Sequence, residues 1–117
     1  MANNMDNSQV STLCQIRDVY RAIYEFELNF QQSYNLGLNE GMLLCSLNVQ
    51  KYSSNELAEI LGLSNSNTAK VIKSIEKKGL IQRIVGKDDK RQMYFTLTDS
   101  GSQTLETINY AGFNIPE

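Results

Sequence analysis

The chain has 117 residues, 41% of them hydrophobic and 21% charged, and a formal net charge of −2. That suits one domain with a modest core but not two, and no apolar run approaches the roughly 18 to 20 residues of a membrane span. With no histidine and only two cysteines the sequence lacks the commonest general base and cannot by itself close a structural zinc site, so no enzyme, metal or other cofactor is expected.

Met1 to Gln9 is polar and lacks the basic and apolar regions of a signal peptide, which makes a frayed start and a cytoplasmic location the default expectations. Residues 10–34 contain neither Gly nor Pro, and Leu13, Ile16, Tyr20, Ile23, Phe26 and Phe30 recur at steps of three and four. This spacing predicts a long amphipathic helix. Val10, Val19, Tyr24 and Leu28 add apolar surface beyond what a small domain needs for its own core. Self-association through this helix is the expectation, the alternative being that it packs on a C-terminal helix of the same chain.

Asn35 to Asn39 reads as a loop, with Asn39 a candidate cap for a buried helix over Glu40 to Val49. Cys45, Met42 and, further on, Met93 read as core-filling residues. A Cys14–Cys45 disulfide is not expected in a reducing cytoplasm.

Ser53-Ser-Asn-Glu56 is a capping box ahead of Leu57, Ala58, Ile60 and Leu61, so a short helix should start near Ser53 and end at Gly62. Ser64 can cap a second helix, and Gly79 can end it in the left-handed conformation. Between them Thr68, Val71, Ile72 and Ile75 share one sector, while Ser66, Lys70, Lys73 and Lys77 share the opposite one. Two helices joined by so few residues must cross steeply, as in a helix-turn-helix. Leu80 to Val85 and Gln92 to Leu97 are β-prone runs joined by the charged loop Gly86 to Arg91, which predicts a hairpin. Thr98 can cap a last helix within residues 99–111, with Leu105 and Ile108 inward and Gly112 and Pro116 ending it.

The expected fold is therefore mainly α with a small β-hairpin: a winged helix-turn-helix with a long N-terminal helix and a short C-terminal helix. Residues 1–117 form a single domain in this reading, with the N-terminal helix at 10–34, the core at 39–98 and the C-terminal helix at 99–111.

Charge is distributed unevenly along this plan. Residues 1–63 carry −4 and residues 92–117 carry −3, whereas residues 64–91 carry +5. The positive charge falls on the second helix of the pair and the hairpin, the pattern of a local phosphate-binding footprint.

Taken together, Glu56-Leu-Ala, the Gly62-Leu-Ser64 turn, Ile75-Glu-Lys-Lys-Gly-Leu-Ile81, Asp89-Lys-Arg91 and Leu97-Thr-Asp-Ser-Gly101 give the chain a resemblance to the MarR-type winged-helix transcriptional regulators, over roughly residues 36 to 106. The resemblance implies a transcriptional regulator that binds double-stranded DNA, forms a homodimer through the N-terminal helix and reads an inverted repeat. On that expectation the helix after Ser64 enters the major groove N-terminus first, with Asn65, Ser66 and Asn67 near base edges. Lys70, Lys73 and Lys77 then reach bases or phosphates. Lys87, Lys90 and Arg91 follow the backbone or minor groove, with Asp89 holding Arg91.

Two features depart from the family. Its members usually continue into a long C-terminal helix pair, which leaves the N-terminal helix to supply more of a dimer here, and they tend to have an acidic residue where Gly86 stands and a basic one where Asp88 stands. Resemblance to peroxide-sensing members makes Cys14 a candidate redox sensor beside its reading as an inert packed thiol. A small aromatic ligand near Tyr20, Tyr24 and Phe30 is a further possibility the family implies. A winged helix that serves as a protein-interaction module, without specific DNA binding, is the alternative function.

Overall fold

The computed structural model describes the backbone of residues 7–110 and the side chains of residues 11–109. Among these the order is α1 (Asn7–Tyr34), α2 (Leu38–Val49), α3 (Ser54–Leu61), α4 (Asn65–Lys77), β1 (Ile81–Val85), β2 (Met93–Leu97) and α5 (Asp99–Tyr110). The fold class is the one expected from the sequence: mainly α, with a helix-turn-helix and a two-stranded wing. Met1 to Asp6, the side chain of Val10 and the Gly112 and Pro116 stop lie outside the described residues, and Asn7 to Gln9 already belong to α1. The chain divides into two compact units, one holding α1 up to Asn35 and the other beginning at Leu36.

In the first unit α1 is uninterrupted because nothing within it breaks the backbone ladder. It stops where Asn35 turns left-handed at φ 56°, a conformation Asn tolerates better than most residues. Phe30 is buried, stacks on Phe26 with centroids 5.9 Å apart, and meets Tyr34 at a tilt of 53° with centroids 5.2 Å apart. The N-terminal part of the apolar stripe differs: Leu13, Ile16, Val19, Tyr20 and Ile23 are all exposed.

In the second unit α2 packs against α3, α4, α5 and β2. It contributes the fully buried Leu43 and Leu44 and the buried Leu47, which meet a core that includes Leu57, Ile72, Ile75, Ile81, Phe95 and Leu105. Truncating one such leucine to alanine typically costs about 2 to 5 kcal/mol.

Four sequence expectations for α2 and the wing are corrected. The helix begins at Leu38 with Gly37 in the N-cap position, so Asn39 lies inside it and caps nothing. Cys45 is exposed, as are Met42 at 41% and Met93 at 39%, so none of the three fills the core. For Met42 and Cys45 the reason is phase: Leu43, Leu44 and Leu47 turn one face of α2 inward, and Met42, Cys45 and Val49 fall on the other.

Cap chemistry sets the helix-turn-helix. The Glu56 amide donates to Ser53 Oγ at 3.2 Å while Glu56 Oε1 accepts from the Ser53 amide at 2.9 Å, the reciprocal pair of a capping box. Gly62 turns left-handed at φ 67°, and Leu63 and Ser64 lead into α4. The wing is antiparallel, with Ile81 opposite Leu97 and Val85 opposite Met93. A third segment joins it: the Phe95 amide donates to the Tyr52 carbonyl at 2.8 Å, tying the α2–α3 connector to β2.

Candidate nucleic-acid interface

The geometry of α4 follows from its two ends. Ser64 Oγ accepts from the Asn67 amide at 3.0 Å, and Gly79, at φ 76°, closes the C-terminus. Thr68 is fully buried yet satisfied, because its hydroxyl donates to the Ser64 carbonyl at 2.8 Å. Thr68, Ile72 and Ile75 thus point into the core, while Asn65, Ser66, Asn67, Lys70, Lys73 and Lys77 are all exposed. Lys70, Lys73, Ser74 and Lys77 line one shallow groove.

Which cations remain available is decided by ion pairing. Lys78 Nζ lies 3.1 Å from Glu40 Oε1, and Arg83 grips Glu76 through two hydrogen bonds of 2.8 and 2.9 Å. The Glu76 carboxylate holds the Arg83 guanidinium above its ordinary pKa, by hydrogen bonding first and by charge second. In the wing, Arg91 Nε donates to Asp89 Oδ1 at 3.3 Å and the Arg91 amide donates to the same oxygen at 3.0 Å. Lys70, Lys73, Lys77, Lys87 and Lys90 make no ion pair among the described residues. Ammonium groups that are not neutralised within the fold can give their full charge to a polyanion.

The wing loop shows why Gly86 is a glycine. Its amide donates to the Gln92 carbonyl at 2.8 Å, and a Cβ there would lie 2.8 Å from the Asp89 carbonyl oxygen and 3.0 Å from Tyr94 Cε2. No side chain fits this turn as it is built.

Two contributors escaped sequence reasoning. Glu40, on α2, directs both carboxylate oxygens to other elements and to its own helix start, and Lys51 places its ammonium 4.9 Å from the centre of the Tyr94 ring beside the wing. Gly37-x-x-Glu40 has the spacing of a capping pair, but Gly37 has no side chain to complete the signature. Burial alone would raise the Glu40 carboxyl. Hydrogen bonds from the Gly37 amide, the Ser74 hydroxyl and the Lys78 ammonium outweigh it and hold the group below the usual carboxylate range. Cys14 is half-buried on α1, while Tyr20 and Tyr24 on the same helix are exposed. No group of three or more metal-ligating side chains occurs among the described residues.

Comparison with known proteins agrees with this fold. Over 93 residues the chain is 29% identical to the HTH-type transcriptional regulator YwaE of Bacillus subtilis (strain 168), itself uncharacterized, covering 79% of this chain and 54% of that protein. It therefore spans about half the length of that curated relative. The crystal structure of AbsC, a MarR family transcriptional regulator from Streptomyces coelicolor, superposes with a TM-score of 0.83 at 18% identity, covering 94% of this chain and 76% of that one. A mutant MarR from E. coli complexed with operator DNA gives 0.76 at 17% identity, covering 92% and 78%. Residues 38–93, which contain α2, the helix-turn-helix and most of the wing, match the model of the MarR family. With the fold and the match over residues 38–93 in agreement, the chain is similar to the MarR-type winged helix-turn-helix proteins.

Proposed function

We propose that this chain is a sequence-specific, double-stranded-DNA-binding transcriptional regulator that acts in the cytoplasm as a homodimer. The observation that carries the reading is the exposed face of α4, where Lys70, Lys73 and Lys77 have no ion-pair partner among the described residues and stand behind a capped first turn of Asn65, Ser66 and Asn67. Asparagine can pair bidentately with adenine and lysine with guanine or phosphate, so this face combines readout with attraction. Lys87, Lys90 and Arg91 extend the footprint through the wing. The E. coli MarR structure with operator DNA and the regulator YwaE support the reading by likeness, and these relatives are regulators, not enzymes.

Dimerisation is assigned to α1. Thr12, Gln15, Ile16, Val19, Tyr20 and Ile23 line a groove of about 340 Å³ along that helix, and Leu13 and Tyr24 extend its apolar surface. An exposed apolar stripe of this extent is the mark of an interaction face. Two copies related by a two-fold axis would read half-sites about 34 Å apart.

Light scattering together with binding to random-sequence duplex DNA over a salt series tests both parts. A dimer whose affinity falls steeply with salt is the expected result. A monomer that binds neither DNA nor heparin would overturn the reading in favour of a protein-interaction module.

A further inference from the structure

Glu40 engages three groups on different parts of the second unit: the Gly37 amide, the Ser74 hydroxyl and the Lys78 ammonium. Its side chain is only 13% exposed. Oε1 accepts from the Gly37 amide at 2.8 Å and from Lys78 Nζ at 3.1 Å, and Oε2 accepts from Ser74 Oγ at 2.8 Å and from Lys78 Nζ at 3.2 Å. One carboxylate thereby joins the first turn of α2 to the last turn of α4 and the residue that follows it. Ser74 also lines the groove formed by Lys70, Lys73 and Lys77, so the group that Glu40 grips stands at the edge of the DNA-facing side.

That placement governs rotation of α4 about its own axis. The buried contacts of Thr68, Ile72 and Ile75 are apolar in the main and without direction, whereas a hydrogen bond from Ser74 and an ammonium pair from Lys78 are directional. Recognition geometry has to be held within roughly 0.5 Å and 10–20°. A rotation of that size at the helix axis moves the tips of Asn65, Ser66 and Asn67 by more than the tolerated distance. Phosphate attraction is less exacting, because lysine acts on phosphate as a mobile point charge.

We infer that Glu40 is a positioning residue for sequence discrimination: it fixes the rotation of α4 through Ser74 and Lys78 and touches no DNA itself. This inference rests on the DNA-reading role proposed for α4. Removing the carboxylate lowers the preference for a chosen sequence over random sequence, while the non-specific attraction of Lys70, Lys73 and Lys77 persists.

The test begins with the wild-type chain, which is allowed to select its preferred duplex from a randomised pool. Affinities for that duplex and for random-sequence duplex are then measured over a salt series for wild type, Glu40→Gln, Ser74→Ala and the double variant, at a temperature where circular dichroism shows all four folded. Glu40→Gln is expected to lower the ratio of the two affinities about tenfold, the scale of one disturbed base contact, with an unaltered salt slope on random duplex. Ser74→Ala, which leaves the Gly37 cap intact and carries the test should Glu40→Gln not fold, is expected to lower the ratio in the same direction. The double variant should fall no further than Glu40→Gln alone, since both substitutions break one linkage.

An unchanged ratio overturns the inference, including the case in which both duplexes bind equally more tightly because a negative charge has gone. A wild-type chain that selects no sequence removes the proposed function and the inference with it; selection that survives both substitutions removes the inference alone.

Discussion

Arg83, at the third position of β1, holds Glu76 of α4 in a two-pronged grip, Nε to Oε2 at 2.8 Å and Nη2 to Oε1 at 2.9 Å. The guanidinium also lies 5.5 Å from the centre of the Phe95 ring. The wing and α4 are therefore joined by charge as well as by packing. Because Arg83 is mostly exposed, the pair should contribute only about 0.2 to 1 kcal/mol to stability. Arg83→Ala is expected to lower the urea midpoint slightly and DNA affinity more, since Glu76 then presents an unneutralised charge beside the lysines. A double-mutant cycle with Glu76→Ala, followed by both readouts, checks this. Equal effects on the two would count against it.

The lysine face of α4 makes a quantitative prediction. Every phosphate deprived of its lysine should reduce the slope of log affinity against log salt by about 0.9. Lys70→Ala combined with Lys73→Ala is thus expected to weaken binding and flatten the slope by up to about 1.8. A slope equal to that of wild type would take this face out of the DNA interface.

Gly101, in the first turn of α5, is packed against the main chain of Leu80. A Cβ at Gly101 would collide with the Leu80 carbonyl oxygen, which also accepts from the Thr98 amide at 3.0 Å. The obstacle is backbone and has little room to yield. Gly101→Ala is expected to cost roughly 1 to 3 kcal/mol, the usual range for overpacking, read as a lower urea midpoint. Ser102→Ala, one residue on at an exposed position, should leave the midpoint nearly unchanged.

The carboxyl of Glu40 ties stability to acid pH. Its folded-state pKa is lowered from the ordinary value of 4.5, so the folded chain holds the ionised form more firmly than the unfolded chain does. The contribution is therefore complete above that ordinary value and is lost as pH falls through the lower folded value. Unfolding free energies of wild type and Glu40→Gln, compared in steps below pH 4.5, should converge as pH falls. A constant gap throughout would mean that Glu40 stabilises the fold without its charge.

Much of this architecture was legible because its determinants are local. Ser53 with Glu56, Ser64, Gly62 and Gly79 each fix a helix end through atoms within a few residues, and Asp89 holds Arg91 at a separation of two. The start of α2 was not legible, since Gly37 offers no capping oxygen and Glu40 supplies the bond from inside the helix. Met42, Cys45 and Met93 were misplaced because apolar character was equated with burial. Only phase along α2, set by Leu43, Leu44 and Leu47, distinguishes the two faces. Glu40 to Ser74 spans 34 residues and Tyr52 to Phe95 joins the α2–α3 connector to the wing, and contacts of that range leave no periodic trace in the chain.

The tie from Tyr52 to Phe95 gives α2 a mechanical role. Just beyond its C-terminal end the connector is stitched to β2, and near its N-terminal end Glu40 holds the far turn of α4. The two elements proposed to meet DNA are thus fastened to opposite ends of one rod. A tilt of α2 would lift one while lowering the other, so a displacement at this single helix is enough to put the wing and the reading helix out of register with a duplex.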